Sequence, residues 1–338
     1  MIDKNSSTTP SKEEANMTNI IHLAQGCLLG AFVGDAAGAR LEFLGRKPTE
    51  VELADAQAMK GGGVLRVAPG QVTDDGELTL ALARALVDSP QFPREEVATS
   101  YRAWMNSRPF DVGQATSAAL GGPALSTGHL ADAVSRSASA HNMASKANGA
   151  LMRASALGIW STRLSMKEAA KSARDDASLT HPNPSCLCAN AAYVVAIRHL
   201  LLNPGDGSGA LEQAKAALGP TGHESEEVLS WLEDAENGEL PSAYPSAGFV
   251  RIAFCHAFHH MLRGHTYVQA VNQVLACGGD TDTNACIVGG LVGARVGISG
   301  IPEKMVRAVL DCDTTKGRPR PEWLSTRDAL EIAQRLLA

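Results

Sequence analysis

Residues Tyr267 to Val292 read YVQAVNQVLACGGDTDTNACIVGGLV. An apolar helical segment, Tyr267 to Ala276, runs into the turn Gly278-Gly279-Asp280-Thr281-Asp282-Thr283, and a second apolar segment starts near Asn284. In the second segment Ala285, Val288, Leu291 and Val292 form one stripe of a 3.6-residue period. The same pattern extends outward. Ile20, Leu23, Ala24, Leu28 and Ala31 make a stripe, as do Leu78, Leu82, Ala85 and Leu86. Tyr193, Val194, Ile197, Leu200 and Leu201 make another, and Val250, Phe254, Ala257, Phe258 and Met261 a further one. Runs of period two are nearly absent, Val64 to Val67 being the one candidate strand. The expected fold is all-α, a single compact multi-helix domain over residues 19–338. Two polar loops, Asn203 to Gly209 and Gly219 to Glu227, interrupt it without dividing it. Residues 1–18, polar and without apolar periodicity, read as a flexible tail.

Composition narrows the function. The chain has 338 residues, 44% of them hydrophobic, and a net charge of −6, with aromatics at 4%. That is too apolar for a disordered chain. The acidic balance gives no general attraction to nucleic acid or to anionic membranes, and scarce aromatics argue against stacking on single strands. No run approaches about 20 uninterrupted apolar residues, so no transmembrane helix is expected. With no apolar N-terminal leader, a cytoplasmic location is expected, and the 7 cysteines read as buried or inert thiols rather than a disulfide framework.

Two acidic clusters carry the chemistry. Thr73-Asp74-Asp75 follows a Gly-rich loop and precedes a helix near Glu77; Asp280 and Asp282 precede the helix near Asn284. Helix capping explains one Asp or Thr per helix, because such side chains suit the positive end of the dipole. Four carboxylates exceed that need and repel one another unless cations lie between them. Hard divalent cations take such oxygen ligands, and paired clusters suit a two-metal site.

The sequence resembles the ADP-ribosylglycohydrolase family over about residues 20–310. Gly26 to Gly38 (GCLLGAFVGDAAG), with Glu42 and Phe43 after it, is similar to the family's opening helix. Thr73-Asp74-Asp75 resembles its first metal motif. Asp111, Gly113 and Thr116 resemble an Asp-x-Gly-x-x-Thr element, and Asn148 to Arg153 an Asn-Gly-Ala-x-Met-Arg loop. Thr180-His181 matches a Thr-His pair, and Gly278 to Thr283 the second metal motif. The resemblance implies an all-α fold and two divalent cations, usually Mg2+, in some members Mn2+. The ligands it carries over are Thr73, Asp74, Asp75, Asp280, Asp282 and Thr283. It implies removal of ADP-ribose from modified protein side chains, chiefly arginine, with serine-linked and small-molecule conjugates as alternatives.

Chemistry makes these roles sensible. Glycoside cleavage passes through an oxocarbenium-like state and usually employs two acidic groups. Paired metals grip ribose hydroxyls and lower the pKa of a bound water. Glu42 and Asp282 are catalytic candidates, and Asp111 is placed to hold a guanidinium through planar, bidentate pairing. Gly113, Ser145, Asn148, Gly149 and His181 are candidates for binding ADP-ribose, the Ser145–Gly149 loop through backbone N–H groups. Tyr244 and Phe249 are weaker candidates for adenine, with core packing favoured for Phe249. His256, His259 and His260 lack an H-E-x-x-H pattern and read as packing.

The chain departs from many relatives at Gly76-Glu77, where they carry Thr or Ser, and at Ala39-Arg40-Leu41, where they carry a Pro. Both departures put leaving-group preference in question more than metal binding. Two other classes of function compete. One is a binding or immunity protein that blocks an ADP-ribosyltransferase partner through the N-terminal arm. The other is a phosphohydrolase using the same two-metal logic.

Overall fold

The computed structural model describes residues 12–122, 129–219 and 222–338. Among them the chain forms sixteen α-helices and no strand, the all-α class expected. Val64 to Val67 is instead a turn, closed by an isolated bridge between Gly62 and Val67. Six helices frame or support the cleft: α1 (Lys12–Gly38), α2 (Asp74–Leu86), α3 (Met166–Ser178), α4 (Pro184–Leu202), α5 (Val250–Leu262) and α6 (Thr281–Val296).

Three boundaries differ from the sequence reading. α1 begins at Lys12, inside the stretch read as a tail, because Lys12-Glu13-Glu14-Ala15 are good helix formers that extend a buried helix. Most of the arm proposed for a transferase partner, residues 1–11, lies outside the described residues. The loop at Asn203–Gly209 ends early, since Asp206 accepts the Gly209 N–H and starts a helix at Gly207. The loop at Gly219–Glu227 gives way to helix at His223, whose first turn holds Glu224 and Glu226.

Membrane-length helices are also present. Asn16–Gly38 and Pro184–Leu202 are long and apolar enough on average to cross a membrane, although each contains polar residues that break an uninterrupted run. In each, 78% of the apolar window is buried inside the molecule, as in the core helices of a globular fold. α4 is buried nearly all round, which explains its composition.

The α1–α6 contact sets the site. Gly26, Gly30, Gly34 and Gly38 lie four residues apart, on one ridge of α1. A Cβ added at Gly30 would lie 2.3 Å from the Gly289 carbonyl oxygen, and one at Gly34 would lie 2.0 Å from that of Ala285. One at Gly38 would lie 2.3 Å from the carbonyl oxygen of Thr281. The helices therefore run antiparallel with backbone touching backbone. Each interior glycine costs about 1 kcal/mol of helix propensity, offset here by close packing along the whole contact. The register brings the C-terminal end of α1, with Asp35 and Glu42, against the N-terminus of α6, with Asp280 and Asp282.

Candidate active site

Helix capping does not account for the two residues that precede α2 and α6. Thr73 precedes α2 and Asp280 precedes α6, yet neither side chain caps its own helix. The caps arrive from the α1 end. Asp35 accepts the Thr73 N–H at 3.0 Å, the Gly76 N–H at 2.8 Å and the Thr73 hydroxyl at 2.8 Å. Glu42 accepts the Thr281 N–H at 2.7 Å and its hydroxyl at 3.0 Å. Two carboxylates from one segment thus satisfy the amides of two helix starts. Asp74, Asp75 and Asp280 are not used as caps of these helices; Asp282 accepts the neighbouring Thr283 N–H, at 2.9 Å.

Those carboxylates converge. Oxygens of Asp35, Asp75 and Asp282 lie within 4.8 Å of one another, as do oxygens of Glu42, Asp280 and Asp282. Asp282 belongs to both groups. Asp75 Oδ1 is buried without a hydrogen-bond partner, which is costly for a carboxylate oxygen. Burial pushes Asp35 up to about 7, and burial with the nearby Asp280 charge pushes Glu42 up to about 7. Asp75 and Asp282 stand well above the usual range, from burial first and neighbouring carboxylates second. Clustered, desolvated oxygen donors with an orphaned lone pair fit hard divalent cations.

A pH dependence follows. Unfolded, Asp35 and Glu42 release their protons near 3.8 and 4.5; folded without a cation they hold them to about 7. Their contribution to the stability of the metal-free protein is full below the unfolded values and is lost as pH rises through about 7. A cation held there would bind the deprotonated form, so its stabilising effect would grow over the same window. Melting curves in chelator should fall between about pH 5 and 8, while the Mg2+-induced rise in Tm grows. A metal-free melting temperature flat across that window would contradict the buried, cation-free carboxylates.

Above this pit lies a cleft of about 820 Å3. Glu42, Asp74, Asp111, Gly113, Asp280, Asp282 and Thr283 line it, together with Ser145, Asn148, Gly149 and His181. Thr73 and Asp75 are not on its wall and are fully buried. Thr73 spends its hydroxyl on Asp35 and on Asp75, the latter at 3.1 Å. Asp74 accepts the Gly113 N–H at 3.3 Å, which ties the first acidic cluster to the Asp111 loop.

In the Ser145–Gly149 loop two of the backbone amides are already committed. The Asn148 N–H is donated to the Gly248 carbonyl and the Ser145 N–H to the Asn142 carbonyl, so both are already used. Lys146 turns away to Glu227 at 2.6 Å. Asn148 contributes its side chain instead: Nδ2 donates to Asp280 Oδ2 at 2.8 Å and holds that carboxylate toward the pit. The sequence offers the motif but not which amides the fold consumes.

Tyr244 lines the cleft, its hydroxyl accepting the Gly279 N–H at 3.0 Å. Phe249 packs edge-on against Trp231, in the core as favoured. His256, His259 and His260 stand on α5, and none joins a metal-competent group among the described residues. The seven cysteines are all free, and six are buried.

Two residues at the site escaped the sequence reading. Asp35 was visible only as part of a motif; its signal is a single charge in the apolar, glycine-rich run AFVGDAAG. A charge there has to find a partner. Phe43 lines the cleft beside Glu42, is 59% exposed and has φ +60°, a strained conformation for a bulky side chain. No local pattern announces that strain.

The departure at Gly76-Glu77 has a structural reason. A Cβ at Gly76 would lie 2.6 Å from the Val72 side chain and 2.8 Å from Asp35 Oδ2. Glu77 is turned away from the pit, accepting from Arg320 at 2.7 Å and from Trp104 at 2.7 Å. Gly76→Ala should displace Asp35, lower Mg2+ affinity about tenfold or more and leave a folded protein. Titration of Tm against Mg2+ measures this; unchanged affinity would remove Asp35 from the cation site.

A family model for ADP-ribosylglycohydrolase matches residues 17–338. The chain belongs to the ADP-ribosylglycohydrolase family. It is an ADP-ribosylglycohydrolase enzyme. It is 25% identical to the ADP-ribosyl-dinitrogen reductase glycohydrolase of Rhodospirillum rubrum, over 82% of this chain and 87% of that one. It is 28% identical to the ADP-ribosylarginine hydrolase Tri1 of Pseudomonas putida (strain GB-1), over 85% of this chain and 74% of that one. A solved ADP-ribosylglycohydrolase-related protein complex superposes with a TM-score of 0.72 at 26% identity, covering 95% of this chain and 98% of the other. The carboxylate pit fits the metal dependence general to the family.

Proposed function

We propose that this glycohydrolase removes ADP-ribose from modified arginine side chains of proteins, with two divalent cations, Mg2+ first and Mn2+ as the alternative. The observation that carries the reading is the pair of carboxylate groups sharing Asp282. Asp35, Asp75 and Asp282 would hold one ion; Glu42, Asp280 and Asp282 the other. Bound there, such ions supply positive charge that grips and orients ribose hydroxyls.

The chain's own residues do the rest. Thr281 holds Glu42 at one carboxylate oxygen, through its N–H and its hydroxyl, which leaves the other oxygen for an ion or a bound water. Asp111 and Phe43 both line the cleft. A guanidinium can use both, one by paired hydrogen bonds and the other by a cation–π contact, whereas a serine hydroxyl offers a carboxylate a single hydrogen bond and an aromatic ring no charge. This pairing and the likeness to an ADP-ribosylarginine hydrolase support arginine.

The test is parallel release of ADP-ribose from arginine-linked and serine-linked peptides, with Mg2+, Mn2+ or chelator. Arginine-linked peptide should be cleaved faster, and chelator should stop the reaction. Phe43→Ala should raise KM for the arginine-linked peptide about fivefold, near 1 kcal/mol for a lost cation–π contact. Faster release from the serine-linked peptide would overturn the arginine assignment.

A further inference from the structure

Two motifs well separated in sequence meet beneath the cleft. Arg153, the last residue of Asn148–Arg153, is fully buried. It donates from Nε to Asp176 at 3.1 Å, and its guanidinium lies 4.4 Å over the Tyr101 ring. Tyr101 in turn donates to Asp176 at 2.6 Å. The fourth contact matters most: Arg153 Nη1 donates to Thr180 Oγ1 at 2.9 Å. Thr180 Oγ1 lies 2.8 Å from His181 Nδ1. His181 forms part of the cleft wall, and its ring packs on Gly149, where a Cβ would lie 3.0 Å from Nε2.

Donor logic orders this chain. A guanidinium only donates, so Thr180 Oγ1 accepts from Arg153. Its own O–H proton then has His181 Nδ1 as its partner. If Nδ1 carried the proton instead, the Thr180 hydroxyl would be a buried donor with no acceptor among the described residues. Such an orphan costs about 1–3 kcal/mol. The Arg153 charge also polarises the hydroxyl as a donor.

We infer that Arg153 and Thr180 are positioning residues that fix His181 as the Nε2–H tautomer, so that its ring presents a hydrogen-bond donor to an anionic or hydroxyl oxygen of the ADP-ribose unit. The inference rests on the cleft being the ADP-ribose site. Among the described residues Nε2 is bonded to nothing, which leaves the donor for a ligand. Burial and the Arg153 charge hold the ring neutral, so it donates from one nitrogen rather than two. The buried Asp176, Tyr101 and Arg153 group, anchored by α3, keeps Thr180 from rotating.

Nitrogen-15 NMR of the histidine rings in the unliganded, wild-type protein reads the tautomer directly, whatever the activity. The expected result is an Nε2–H ring for His181; an Nδ1–H ring would overturn the inference. Thr180→Val should mix the tautomers and raise the Kd for ADP-ribose about tenfold, while Thr180→Ser restores both. Thr180→Val with wild-type affinity would also overturn it. Where Thr180→Val fails to fold, the wild-type and Thr180→Ser spectra still decide. Failure of the wild-type protein to bind ADP-ribose would sink the reading of the cleft and leave the tautomer result standing.

Discussion

Asp282→Asn should reduce kcat/KM for ADP-ribose release by about 10^3-fold or more, because it removes the one carboxylate common to both cation groups. Loss of a side chain belonging to one group would weaken one site; loss of Asp282 would weaken both. The same substitution should have the opposite effect on the metal-free protein. Asp282 sits among Glu42, Asp75, Asp280 and Asp35, all of which raise its pKa, so a neutral amide removes buried repulsion. In chelator, Asp282→Asn should melt a few degrees above wild type. With saturating Mg2+ the order should reverse, since only the wild type gains ligand-linked stability. Retained turnover, or a Mg2+-induced rise in Tm equal to that of wild type, would remove Asp282 from the centre of the site.

Gly34→Ala should destabilise the fold by about 3 kcal/mol or more, the largest stability effect expected of a single added methyl group. The new Cβ would sit 2.0 Å from the Ala285 carbonyl oxygen, and rigid backbone on both helices leaves it nowhere to go. Relief requires α1 and α6 to part. That motion carries Asp35 away from Asp282, so Mg2+ affinity should fall with stability. Gly122→Ala is the control: among the described residues nothing lies within 4 Å of its added Cβ, and stability should change by less than about 0.5 kcal/mol. Urea denaturation of the two variants makes the comparison. Equal stability would mean that the helices do not touch at this spacing.

The two predictions separate what is local from what is not. The all-α class, the helices around Leu78, Tyr193 and Val250, and the two Asp-bearing turns were legible because each signal lies within one turn or one helix. Asp74, Asp75, Asp280 and Asp282 were found because each pair is contiguous in the chain. Asp35 was not singled out, since its partners Thr73 and Gly76 are 38 and 41 residues away. In the Ser145–Gly149 loop the sequence does not show that the distant Gly248 carbonyl takes the Asn148 amide. α1 and α4 are long and apolar enough on average to cross a membrane, a property that counting uninterrupted apolar residues does not register, and most of each apolar window is buried within the protein.

Sequence alone was enough for the helical class, the family likeness and the carboxylates available for cations, because propensity, periodicity and motif chemistry act over a few residues. Tertiary structure alone decided which carboxylates share a site, which cap a helix start from afar, and which nitrogen of His181 faces the cleft. Those outcomes depend on the register of α1 against α6 and on buried hydrogen bonds between distant segments. There, close packing leaves each buried donor only the acceptors the fold has already placed, and leaves Gly30, Gly34 and Gly38 no room for a side chain.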